Sequence, residues 1–422
     1  MNRRIAVIGG GWAGLAAAVD LIEAGHRITL FEMAPQLGGR ARSLAGAAPR
    51  LDNGQHILIG AYAESLALLR RVGVDPETAL LRMPLRLRYP EHEGLCLRPG
   101  PPLLAFARAV LGYRSWPLAA RLALLRTSLG WALAGFGCGE TLSVDALCHA
   151  LPAPVRTELI DPLCIAALNT PAHAASARVF LRVLRDALFT GPGSADLLLP
   201  RQPLGELLAE PAAAWLAARG AELRLGRRVE RVNAEGRVDG EAFDAVILAC
   251  SAGEAARLVA PLNPTWAAQA RALRFEPIVT VYLESPGSAL PAPMLALHEG
   301  AAAPAQFAFD LGQLGHAPGC FAFVISGAAP WIERGLDAIG AAVLAQARQA
   351  LRWQVEPRLL RILAEKRATF ACTPGLVRPG AAVAPGLWAA GDYVAGPYPA
   401  TLEGAVRAGR AAARQGASVA RA

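Results

Sequence analysis

The sequence predicts an α/β fold: a parallel-sheet domain that begins at the N-terminus, and a second domain of mixed sheet and helices inserted into it. Three observations predict this. Residues 4–32 read strand, glycine-rich turn, helix, strand. Residues 387–413 read strand, loop, helix. The chain between them holds long helical stretches and separate strand-like runs in which the opening pattern does not recur.

Residues 5–8 (IAVI) are a short apolar run suited to a buried parallel strand. Gly9, Gly11 and Gly14 follow in G-x-G-x-x-G spacing, with Trp12 and Ala13 counted in the same site. A helical stretch over 15–24 stops at Gly25, and a second strand over 27–31 delivers Glu32. Together these make the Rossmann-like dinucleotide fingerprint. Gly9 allows the tight turn, Gly11 lets the backbone approach a pyrophosphate, and Gly14 lets the helix pack on the strand. The helix N-terminus offers free N–H groups and a partial positive charge to phosphate. Glu32 suits a ribose diol and repels a ribose 2′-phosphate. Arg3 and Arg4 before an apolar run have the outline of an export signal. Three consecutive glycines interrupt that run, and export leaves Glu32 unexplained, so the expectation is a cytoplasmic chain with no signal peptide.

The 422 residues suffice for two domains or one composite unit. At 54% hydrophobic residues and a mean hydropathy of +0.32 the chain is apolar, yet no charge-free run approaches a membrane-spanning length. A large core, a lipid-sized pocket or a membrane-facing surface accounts for that combination. The net charge of +8 favours anionic lipid surfaces. Nucleic acid is not expected, because the arginines are scattered and no basic block interleaves with aromatics. Seven cysteines, odd in number and never in C-x-x-C spacing, predict buried thiols in a reducing compartment and no metal site.

After Glu32, residues 37–41 (LGGRA) form a loop that can run close to a ligand, with Gly39 for close approach and Arg40 to meet phosphate. The glycine fingerprint, the acid and L-G-G-R-A together resemble the flavoproteins that include amine oxidases and carotene desaturases. The resemblance implies FAD more than NAD, in a glutathione-reductase-type domain with amine-oxidase-like architecture. Residues 51–62 (LDNGQHILIGAY) open on a turn at Asp52, Asn53 and Gly54. This segment resembles the one beside the isoalloxazine ring in plant-type carotene desaturases, which implies His56 near the flavin. Taken alone, His56 reads as a strand-end histidine bonded to a backbone group; the resemblance sets the flavin-facing reading level with it.

A helix is expected over 64–72, and a second domain from about residue 85. Over 99–139, Arg108, Arg114, Arg121 and Arg126 recur along helical pieces broken at Gly112 and Pro117, with Trp116 and Trp131 among them. An interfacial membrane patch fits this stretch, and so do two core-packing helices with solvated arginines. Further helices are expected over 143–150, capped by Thr141 or Ser143, and over 154–168 and 174–189. In the last, Val179, Phe180, Val183, Leu184 and Leu188 share one face. The runs at 168–171 (LNTP), 175–188 (ASARVFLRVLRDAL) and 197–207 (LLLPRQPLGEL) closely resemble the hydroxysqualene dehydroxylases of bacterial hopanoid biosynthesis, FAD enzymes that handle a C30 isoprenoid.

A helix over 211–219 and strands over 222–225, 227–232 and 243–249 follow. The resemblance makes this the return to the FAD domain, with Val229 touching adenine through its backbone. Strands over 277–283 and 321–326, a helix over 336–351 and a strand over 365–370 leading back complete the second portion. In the C-terminal unit, Thr401 can cap a helix with Glu403 in its first turn. The resemblance implies Gly391 and Asp392 near the pyrophosphate–ribitol region. It also implies Thr401, Leu402 and Glu403 at a helix end facing the flavin pyrimidine. The expected division is thus 1–84, 200–251 and 366–422 for FAD, and 85–199 with 252–365 for substrate.

The resemblance also implies a function. FAD is expected to be non-covalent, because no cysteine follows Cys372. Amine oxidation is disfavoured: the only lysine, Lys366, falls in the returning strand, and no aromatic cage for an ammonium is evident. The expected reaction is reductive dehydroxylation of hydroxysqualene to squalene, with hydride passing from reduced flavin N5 to an allylic carbon. A carotene-type desaturase working oxidatively is the second expectation, and a lipid-binding scaffold with a vestigial FAD site the third. A proton must reach the leaving oxygen. His56, Tyr393 and Tyr398 are the candidates, with His173 and Asp186 behind them. The expected partners are a long isoprenoid lipid and the inner face of the cytoplasmic membrane, touched peripherally; the sequence does not indicate the reductant.

Overall fold

The computed structural model describes residues 2–44, 46 and 49–418. The last four residues of the expected FAD-binding segment, 419–422, lie outside the described residues. The apolar opening run forms the central strand Arg4–Ile8, with Ile5, Ala6 and Val7 fully buried. It pairs in parallel with Arg27–Phe31 on one side and Ala245–Leu248 on the other. Glu222–Arg224 and Leu387–Ala389 extend the sheet in parallel, and Ala382–Ala384 closes one edge antiparallel. The first helix, Trp12–Glu23, packs on the last, Leu402–Ser418. A Cβ at Gly409 would lie 2.1 Å from the Ala13 carbonyl oxygen, so glycine is what lets these helices cross so closely.

The expected strand over 227–232 does not form beyond an isolated bridge between Val232 and Val238. Its backbone is otherwise engaged. Glu230 N and Arg231 N both donate to Asp239 Oδ1 at 2.9 Å, and Arg227 N donates to the Glu32 carbonyl at 2.9 Å. Side-chain and loop acceptors take these hydrogen bonds in place of a neighbouring strand.

The second region carries the expected sheet and helices. Its five strands run in the order Met294–Ala296, Phe307–Asp310, Cys320–Ile325, Phe275–Glu284, Arg358–Phe370, and every pairing is antiparallel. The strand expected over 365–370 is the end of Arg358–Phe370 and pairs with Phe275–Glu284 up to Phe370. Lys366 therefore sits exposed on this second sheet rather than on a strand of the parallel one. A small antiparallel sheet of Leu58–Ile59, Leu197–Pro200 and Leu80–Met83 lies beside it in the chain order.

Helices Pro102–Gly112 and Leu118–Leu133 form as expected, separated by Pro117. Ser143, not Thr141, caps Val144–Cys148, accepting from Ala146 N at 3.2 Å. The run over 153–168 is helical with a wide π turn at Arg156–Ile160, and ends at Asn169, whose φ of 47° is left-handed. Asn169 is held there by bonds from its Nδ2 to the Glu276 carbonyl and Thr369 Oγ1, while Gly327 N donates to its Oδ1. Among the described residues no helix is long and apolar enough to cross a membrane. All seven cysteines are free thiols.

Candidate active site

A cavity of about 1070 Å³ is walled by both large sheets. It opens at the carboxyl ends of the parallel strands, where Gly9, Glu32 and Ala249 line it, as ligand sites in open α/β sheets do. The three fingerprint glycines have distinct surroundings at the atomic level. Gly9 has φ +111°, and a Cβ on it would meet the Ala249 carbonyl oxygen at 2.5 Å. A Cβ on Gly14 would lie 1.9 Å from the Gly9 carbonyl oxygen, so Gly14 packs helix on strand and does not itself line the cavity. A Cβ on Gly11 meets nothing nearer than the Gly39 Cα at 3.8 Å, leaving an open cradle lined also by Trp12, Ala13 and Gly39.

Glu32 is oriented by two backbone donors. Gly10 N reaches Oε2 at 2.7 Å and Ala34 N reaches Oε1 at 2.8 Å, and each oxygen keeps a lone pair for a ligand hydroxyl. Arg40 lies on the cavity wall as expected, but its guanidinium is committed to the Asp392 carboxylate and the Ala368 carbonyl. Burial disfavours its charge, and the ion pair outweighs this, holding its pKa above the ordinary value. The pair ties the 37–41 loop to the Gly391–Asp392 turn, and both line the cavity. Val229 lines it too: its carbonyl accepts from Arg257 Nη2 at 2.6 Å, and its N–H has no partner among the described residues.

At the C-terminal helix, Thr401 caps as predicted, accepting from Gly404 N at 2.9 Å. Thr401, Leu402 and Ala405 face the cavity. Glu403 does not. It is fully buried and accepts from Glu64 N, Ser65 N and Ser65 Oγ at 3.1, 2.9 and 2.7 Å, and from Arg407 Nε at 2.8 Å. One helical step past Leu402 turns its side chain toward the N-terminus of helix Ala63–Arg71, where its charge takes the amide groups of Glu64 and Ser65.

His56, Tyr393 and Tyr398 all line the cavity. His56 has no hydrogen-bond partner among the described residues, so it is not tied to backbone at a strand end. Burial and the nearby Arg40 charge push its pKa down to about 4. The Tyr393 hydroxyl is buried without a partner, and burial holds its pKa far above the usual range. Tyr398 and Asp186 both face the cavity; burial and the nearby Asp186 carboxylate raise the Tyr398 pKa. Burial pushes Asp186 up, but Arg182 at 2.6 Å and Arg185 at 3.1 Å outweigh it and keep the carboxyl below its usual range. Arg407 lies over the Tyr398 ring, 4.7 Å from its centre. His173 is exposed and away from the cavity, which removes it from the candidates.

Sequence reasoning missed Tyr62, Asn53 and Glu365. Tyr62 lines the cavity beside Thr401, and burial raises its pKa. Asn53 Nδ2 bridges the Arg40 carbonyl and Glu365 Oε2 at 3.1 and 3.2 Å. Tyr62 and Asn53 fall inside the motif 51–62, which could have pointed to them; nothing local marks Glu365. Part of the remaining wall is an apolar stretch that includes Leu163, Phe180, Leu273, Phe275, Ile278 and Phe309.

The cradle fits FAD. Its backbone approaches openly at Gly11, Glu32 keeps free acceptor capacity, and the buried Trp12 Nε1 and Tyr393 hydroxyl lining it have no partner among the described residues. A dinucleotide cradle continuous with an apolar chamber defines an FAD-dependent oxidoreductase, and FAD is its cofactor. The chain belongs to the family described as flavin containing amine oxidoreductase, whose family model matches residues 12–415. Over its full length it is similar to the hydroxysqualene dehydroxylase of Rhodopseudomonas palustris, at 29% identity covering 98% of each chain. A probable zeta-carotene desaturase of Synechococcus elongatus is 41% identical over 71 residues, 17% of this chain and 15% of that one. Among solved structures, an oxidoreductase from Methanosarcina mazei superposes with a TM-score of 0.75 at 16% identity, covering 97% of this chain and 99% of that one.

Proposed function

We propose that this enzyme reductively removes the hydroxyl of hydroxysqualene, giving squalene and water, at the inner face of the cytoplasmic membrane. The observation that carries the reading is the joining, in one cavity, of a dinucleotide cradle and a long apolar chamber. Its full-length likeness to a hydroxysqualene dehydroxylase supports the same substrate class.

Gly9, Gly11, Glu32, Gly39, Val229, Gly391 and Thr401 hold the cofactor. When bound and reduced, FAD supplies the hydride that replaces the hydroxyl. Everything else falls to the chain. Hydroxide leaves poorly, so a proton must reach the departing oxygen. Near neutral pH His56 is uncharged and has only a neutral imidazole N–H to give. Tyr398 keeps its proton, and Asp186, fixed by Arg182 and Arg185, orients its hydroxyl. We assign Tyr398 as the proton-holding group and Asp186 as its positioning partner. The apolar walls exclude water that would capture an allylic cation, and their extent suits a linear isoprenoid rather than an amine.

Anaerobic enzyme with photoreduced FAD and hydroxysqualene should give squalene. Turnover of phytoene with an added electron acceptor, and no squalene, would overturn the reading in favour of an oxidative desaturase, which the shared segment with zeta-carotene desaturase makes the specific competitor. Protein that takes up no FAD would point to a scaffold instead.

A further inference from the structure

Helices Pro102–Gly112 and Leu118–Leu133 are apolar on both sides. Their inner faces are buried through Phe106, Val110, Ala120 and Leu124. Their outer faces expose Leu103, Leu104, Leu118, Leu122, Leu129 and Leu133, with Leu103 63% and Leu133 81% exposed. Most of the large exposed hydrophobic residues of the described chain stand on this one helix pair, a concentration that isolated surface leucines do not show.

The charge around it has one sign. Between Glu93 and Glu140 there are five arginines and no acidic residue. Arg98, Arg108, Arg114 and Arg126 are exposed and make no ion pair among the described residues, unlike most arginines elsewhere in the chain. Arg121 donates to the Leu111 carbonyl at 2.6 Å, tying the two helices together. Exposed leucines ringed by unpaired arginines complement an anionic lipid surface. A second copy of the chain would set these positive charges against each other.

Beneath the pair lies a small apolar void of about 30 Å³, walled on the helix side by Phe106, Leu124, Ser128 and Trp131. Leu85, Leu163, Leu184 and Leu188 wall both this void and the main cavity. A single layer of leucine side chains therefore separates the cavity from the underside of the leucine-bearing helices.

We propose that this helix pair docks the protein on an anionic bilayer with its leucines inserted, and that a lipid passes from the bilayer between the two helices, through the void, into the cavity. The docking stands on the surface itself; the passage rests on the lipid-substrate reading above. The void is the closed form of the passage, and rotation of the four shared leucines opens it.

Sedimentation with vesicles free of substrate tests the docking. Wild-type protein should pellet with phosphatidylglycerol vesicles far more than with phosphatidylcholine vesicles, and less as salt rises. The double variant L129E/L133E should lose about tenfold or more of this binding, and R108E/R126E its preference for anionic lipid. Both changes are at exposed positions, and an unchanged flavin spectrum would show an intact fold. L129E/L133E should turn over hydroxysqualene in detergent micelles as wild type does, but lag with hydroxysqualene in vesicles. S128F, which fills the void, should pellet normally yet lose turnover in both presentations. Should hydroxysqualene not be the substrate, uptake of squalene, read as a perturbed flavin absorbance, takes the place of turnover. Equal pelleting of wild type and L129E/L133E would overturn the docking, as would a wild type that ignores vesicles and forms a dimer dispersed by L129E/L133E. Normal turnover or uptake in S128F would overturn the passage alone.

Discussion

Glu403 shows how much one side chain can carry away from the chemistry. It is a buried carboxylate that joins the last helix to the start of Ala63–Arg71, next to the cavity residue Tyr62. Glu403→Ala leaves two amide groups and Arg407 without their acceptor, and should cost about 3 kcal/mol, read as a lower urea midpoint of the flavin-loaded protein. An unchanged midpoint would contradict the role. Asp52 and His56 make a second case. Burial pushes the Asp52 carboxyl up to about 6, although Ser43 and Leu204 bond to it at 2.7 and 2.9 Å. The folded protein thus holds that proton more tightly than the unfolded chain, and stability from this group falls as pH rises through about 6. His56, lowered to about 4, does the reverse: the unfolded chain binds its proton first, and stability falls as pH drops from its usual value toward 4. In flavin-free protein the two slopes oppose each other between about pH 4 and 6. D52N should raise stability above pH 6, and H56Q should lessen the loss on the acid side, each by about 2–3 kcal/mol. Urea midpoints measured from pH 4 to 7 check both signs.

At the scale of elements, the opening βαβ unit and the closing helix act as one piece. Gly14 sets the first helix against the strand end, and Gly409 sets the last helix against the first. Gly409→Val would drive its branched side chain into the Ala13 backbone, and we expect a loss of about 1–3 kcal/mol together with weaker flavin retention, because Ala13 lines the cradle. Gly14→Val should yield protein without flavin absorbance, since the displaced carbonyl belongs to Gly9. Elements were legible where a local rule decided them: the glycine turn and the Thr401 cap. They were not legible where a distant partner decided them. A strand is expected over 227–232, yet Asp239 takes the amide groups of Glu230 and Arg231. Residues 365–370 look like a short returning strand, yet the register with Phe275–Glu284 keeps them in the second sheet.

At the scale of the whole molecule, the cavity is assembled from both sheets and both ends of the chain. FAD bound there should therefore stabilise the fold as a unit. At FAD a hundredfold above its dissociation constant, unfolding should shift by about 2.7 kcal/mol in a single transition, measured by thermal melts with and without added cofactor. Two transitions, only one of them sensitive to FAD, would show that the sheets unfold independently. By itself the sequence determined the α/β class and the glycine cradle with Glu32, because each depends on spacing along a few tens of residues; the place of the C-terminal unit beside that cradle came from family resemblance. Tertiary structure alone decided that Arg40 meets Asp392, 352 residues away, that Glu403 turns from the cavity to another helix, and that the leucine-bearing pair stands one side-chain layer from the apolar chamber. Those outcomes depend on which partner arrives from across the fold, and local periodicity contains no record of that.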